Sequence, residues 1–164
     1  MPLLLRGIRK RRWSTDASIS GLSEGEIQAD AFGDLSTSKN TLSVWHVEDD
    51  KSNIDQVITA FASNRDNISN FDYVLFNTNL VSNIGINIEQ NPGATPFEAA
   101  NHWHRDLTML TASKLFKLID IICNQHIEKS RVKEKDILKL INKAVENNLI
   151  QRERLKEKIV SKLN

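Results

Sequence analysis

The run Asn101-His102-Trp103-His104-Arg105-Asp106 holds the densest group of chemically capable side chains in the chain. On a strand, His102 and His104 would point to one side and read as a metal pair. On a helix, residues two apart diverge and residues four apart share a face. The helical reading therefore gathers Glu98, His102 and Asp106, a carboxylate–imidazole–carboxylate set. Such a set suits general acid/base work or a divalent metal, and defines the alternative reading of a metal-dependent hydrolase or nuclease-like enzyme. Further ligands would have to come from His46 or from Glu48, Asp49 and Asp50 at the end of a strand. The plainer assignment makes Glu98 a capping residue, His102 exposed, and Asp106 ion-paired beside Arg105. Cys123, the one cysteine, falls on an apolar stripe and reads as a small buried hydrophobe. Neither phosphate-loop glycine pattern occurs, nor does His-Glu-x-x-His or Cys-x-x-Cys. No cofactor and no dedicated metal site is expected.

Charge is the second source of chemistry. The net charge is +1 but is segregated. Residues 1–12 carry five basic side chains and no acid; residues 13–100 carry three basic and thirteen acidic; residues 101–164 carry fourteen basic and eight acidic. Such asymmetry points to a charged partner or to pairing between the parts. Arg6, Arg9, Lys10, Arg11 and Arg12, ending in Trp13, read as a basic arm suited to phosphate contact with stacking on a base. The competing assignment docks the arm on its own acidic body or on a protein.

The elements that position these groups follow from periodicity. Thr95-Pro96-Phe97-Glu98 has the form of a helix start. Apolar residues then recur at helical spacing through Leu107, Leu118 and Ile122, which predicts a central helix over 95–128 with a kink near 108–113. Before it, strands are expected over 41–47, 71–76 and 84–88, with an amphipathic helix from Ile54 to about Asn64 between the first two. That arrangement suggests a right-handed βαβ unit. Ser23-Glu24-Gly25-Glu26 has capping-box spacing and predicts a short helix through Phe32. Ser130 is expected to cap a further helix that stops at Asn147-Asn148, and a last helix completes a basic C-terminal hairpin.

The expected fold is thus α/β or α+β: a small three-stranded sheet (β-α-β-β) packed on a long helix, with a C-terminal helical hairpin. The division is a basic N-terminal arm followed by a Ser-rich loop over 1–22 (the loop over 14–22), an α/β core with the long helix over 23–129, and the basic helical hairpin over 130–164. The favoured function is a non-enzymatic interaction module that binds a protein partner or nucleic acid through the arm and the C-terminal helices. Protein is preferred because the acidic body repels phosphate. Self-association through apolar helices fits either reading. No segment approaches the ~20 apolar residues of a membrane span, and a cytoplasmic location is expected.

Overall fold

A computed structural model describes residues 1–16, 22–23 and 25–163. The remaining part of the expected Ser-rich loop, and Glu24 of the expected capping box, lie outside the described residues. The chain is of the mixed α/β class, built on one antiparallel sheet. Its strands are β1 (Leu3–Ile8), β2 (Leu42–Val47), β3 (Phe71–Asn77), β4 (Asn87–Gln90), β5 (His104–Thr108) and β6 (Glu128–Val132). They lie in the order β4-β5-β2-β1-β3-β6, and every neighbouring pair is antiparallel. This replaces the expected three-stranded sheet.

The largest correction is at the N-terminus. Leu3-Leu4-Leu5 belongs to a strand at the middle of the sheet, paired with β2 on one side and β3 on the other. Its side chains alternate between two cores. Leu3 and Leu5 join Trp45, Val47, Phe71 and Leu75 on one face, while Leu4 and Ile8 join Val44, Val74 and Phe76 on the other. Gly7 stands where the strand crosses two aromatic rings: an added Cβ would lie 2.9 Å from Phe71 and 3.0 Å from Phe61. β2 and β3 are joined through a helix as expected, but β1 lies between them, so they are not neighbours.

Helix α1 (Ile54–Ser63) packs on the first face with α4 (Glu134–Glu146) and the short α5 (Glu157–Val160). The second face is covered by a 3-10 segment (Ala29–Leu35), α2 (Thr78–Asn83) and α3 (Ala112–Asn124). Among the described residues no helix is long and apolar enough to cross a membrane.

The expected central helix over 95–128 does not form. Its first part is a 3-10 turn (Glu98–Trp103), its middle is β5, and only its last part is helical, as α3. Met109 takes a left-handed φ of 57°, which ends β5 before the helix begins. The working cap is Thr111, whose hydroxyl accepts from the Lys114 N–H at 3.3 Å. The Thr95 hydroxyl instead donates to the Asn101 side-chain carbonyl at 2.7 Å.

The C-terminal hairpin is also corrected. Ser130 lies in β6 and caps nothing, and the expected last helix is a 3-10 turn (Arg152–Arg154) followed by the four residues of α5. Asn148 does adopt the left-handed conformation that ends α4, at φ 57°. At Ser23 the N–H donates back to Glu26 at 3.0 Å, yet Gly25 turns the chain at φ +83° and helical structure starts only at Ala29.

Candidate functional site

The structure separates the expected Glu98, His102 and Asp106 set. Glu98 opens the 3-10 turn and is ion-paired with Arg154. Asp106 is in β5, accepting from the Asn91 amide at 2.5 Å and from the Ser43 hydroxyl at 3.5 Å. His102 hydrogen-bonds the Ala99 carbonyl through Nδ1 at 2.7 Å. A carbonyl only accepts, so that nitrogen carries the proton. The shared helical face that would have gathered the three is absent. Among the described residues, no three His, Cys, Asp or Glu side chains converge so as to hold a metal.

What does gather there is aromatic. Trp103 stands between two imidazoles, His102 at 4.2 Å and His46 at 5.4 Å between ring centres, the latter nearly parallel. His46 lies 3.7 Å from Glu48, so the strand end does reach this cluster. Burial first, then the Arg105 guanidinium, hold the His46 pKa below its ordinary 6.5, against the pull of Glu48. His126, on the loop after α3, is lowered by burial and then by Lys129. Both imidazoles refuse protons that the unfolded chain accepts. Stability is therefore full above about pH 6.5 and falls as pH drops below it. Urea midpoints measured from pH 7.5 to 5.0 should decline through this window, before the carboxylates titrate. The double variant His46→Asn, His126→Asn should flatten that decline; an unchanged slope would refute it.

The basic arm is placed in two ways. Arg6 is drawn into the fold, donating through Nε and Nη2 to the Asp34 carbonyl at 3.0 and 2.6 Å and through Nη1 to Ser43 O at 2.6 Å. Arg12 pairs with the Asp34 carboxylate at 3.3 Å. Trp13 is only 1% exposed, and its indole N–H donates to the same carboxylate at 2.9 Å. Asp34 also accepts the Arg9 backbone N–H at 2.8 Å. This buried acid, which the sequence presents only as one of two aspartates four apart, holds the arm against the second face.

Lys10 and Arg11 stay exposed on the resulting 3-10 turn (Lys10–Trp13). They meet Lys129 and Arg131 of β6, and with Trp13 and Ser14 these line a groove of about 370 Å³. Lys129 donates to the Trp13 carbonyl at 3.4 Å. Its pKa is lowered by burial, offset by Cys123 and lowered further by Lys10. Arg131 forms a two-bond fork with Asp72 at 2.6 and 2.9 Å, and Asp72 also accepts the Lys10 backbone N–H at 3.0 Å. Four basic side chains, Lys10, Arg11, Lys129 and Arg131, thus line the groove, and Asp72 pairs with Arg131 among them. Cys123 is half-buried near Lys129; burial raises its thiol pKa, so it is not poised as a nucleophile.

Among the described residues, four of the nine basic side chains over residues 133–164 are matched internally: Arg154 with Glu98, Lys162 with Glu134 at 2.7 Å, Lys139 with Asp136 at 3.6 Å, and Lys156 with Asp66 at 4.0 Å. Compared with protein-family models, curated proteins and solved structures, the chain matches none.

Proposed function

We propose that this protein is a non-catalytic interaction module that holds an anionic partner in the groove formed by Lys10, Arg11, Lys129 and Arg131. The observation that carries this reading is convergence. Two basic segments more than a hundred residues apart in sequence meet at one concave surface. Like charges brought together at a cost in repulsion are most simply accounted for by a ligand that relieves it. The expected contact surface on the C-terminal helices has less to recommend it, because its cations come from one segment of the chain and not from two that converge, and four of the nine are ion-paired within the chain. Among the arm residues, Lys10 and Arg11 are the ligand-facing pair, while Arg6, Arg12 and Trp13 position them. A cytoplasmic location suits the half-buried lone cysteine.

The test is anisotropy of labelled polyglutamate and of a labelled single-stranded oligonucleotide over a salt series. Affinity for at least one probe should fall steeply as salt rises. Lys10→Glu with Arg11→Glu should weaken that binding by about tenfold or more. The control Lys135→Glu with Lys139→Glu, on α4, should leave it within about twofold. No binding at low salt, or equal loss in both double variants, would overturn the reading.

A further inference from the structure

Resting on that reading of the groove, we propose that its occupant is an acidic, extended polypeptide segment that adds to the outer edge of β6 as a seventh strand. β6 is the last strand of the sheet. Its inner side is paired with β3 from Glu128 to Val132. Among the described residues no backbone group pairs with its outer side. An edge strand presents alternate N–H and C=O groups outward, ready for another chain.

The side chains choose the occupant. Lys129 and Arg131 point to the groove, toward the Trp13 carbonyl and Asp72 respectively. Glu128 points to the other face, where it accepts from Lys51 at 2.5 Å and from the Tyr73 hydroxyl at 2.9 Å. The Tyr73 phenol, buried first and held by that carboxylate second, has its pKa pushed up to about 12 and keeps its proton. The strand therefore has two cations on its groove face, Lys129 and the Asp72-paired Arg131, and the ion-paired Glu128 on the face opposite. An added strand alternates in the same way. Acids at every second position would line up beside Lys129 and Arg131, with Lys10 and Arg11 across the groove. Five paired residues would span about 16 Å. This is strand addition, in which main-chain bonds supply affinity and alternate side chains supply selection.

Two competitors fit worse. A second copy of β6 paired about Ser130 would set Lys129 opposite Arg131, like charges facing across strands. A single nucleic-acid strand would want an open aromatic face for its bases, but Trp13 is 1% exposed with its N–H committed to Asp34.

The experiment uses the full chain and a labelled heptapeptide, Glu-Val-Glu-Thr-Glu-Val-Glu, capped at both ends. It is made in three forms: unmodified, N-methylated at its Glu residues, and N-methylated at its Val and Thr residues. One methylated form should lose about tenfold or more in affinity and the other little, because only alternate amides face β6. Outward amides of β6 should gain hydrogen-exchange protection with the unmodified peptide. If both methylated forms bind like the parent and no protection appears, the strand-addition inference falls and the anion-binding function stands. If oligo-dT binds and the peptide does not, the occupant is wrong while the groove's function survives. If neither probe binds, both fall.

Discussion

Deletion of residues 1–9 is expected to leave a chain that does not fold. By charge alone this segment is a removable arm. In the structure it supplies β1, which carries ladders to β2 and β3 on both edges. Its loss would open the sheet at the middle, exposing backbone groups on both neighbours and draining both cores. Leu4 and Leu5 are each fully buried, one in each core. Single replacements give the graded form of the same prediction. Leu5→Ala should cost about 3 kcal/mol, the usual range for a buried leucine whose cavity cannot collapse. Circular dichroism of the truncated chain and a urea titration of Leu5→Ala are the measurements. A truncated chain with native secondary structure and a cooperative transition would refute the central role of β1.

Replacement of Asp34 by alanine should cost about 3 kcal/mol. Its side chain is 8% exposed and accepts three donors: the Arg9 N–H, the Arg12 guanidinium and the Trp13 indole N–H. Alanine would leave the buried Trp13 indole N–H without a partner and hand the part-exposed Arg12 guanidinium and the exposed Arg9 N–H to water. The cost comes less from losing an ion pair than from leaving the buried indole N–H unmade. Asp34→Asn should recover part of the loss, since its amide oxygen can still accept while its NH2 cannot. A second readout separates this role from general weakening. The Asp34 contacts fix the turn that carries Lys10 and Arg11, so any anionic probe that the native groove binds should bind Asp34→Ala more weakly under conditions where the variant is still folded. A variant as stable as the parent would show that the arm is held without the Asp34 carboxylate, by the β1 ladders, the Arg6 bonds to backbone carbonyls and the apolar contacts.

Local patterns in the chain account for several elements correctly. The Ile54 to Phe61 periodicity marks α1 because its apolar stripe repeats at 3.6 residues with no competing partner. The alternation over 42–47 marks β2, and the nearly continuous apolar run of β3 marks a strand covered on both faces. Asn148 ends α4 because asparagine tolerates the left-handed turn. The segregation of charge, too, is a property of the chain as written.

Other features had no local signature. β6 reads Glu-Lys-Ser-Arg-Val, with a single large apolar residue, because an edge strand needs charge on its face more than burial. Residues 104–108 match a helical stripe at Leu107, yet they pair with β2 and β4, since the ladder satisfies backbone groups that an isolated turn would leave to water. That choice dissolved the Glu98, His102 and Asp106 face, because spacing creates a site only on the element that realises it. Asp34 is one acid among many by sequence, and only the packed 3-10 segment makes it the anchor of the arm. The groove itself is wholly tertiary: Lys10 and Arg11 meet Lys129 and Arg131 only because β3 separates β1 from β6 by a single strand. Sequence determined which residues are apolar, charged or turn-forming, and hence the raw elements. Tertiary structure decided which of them touch, because long-range pairing is chosen by the joint satisfaction of backbone bonds and two cores at once, a sum that no local window contains.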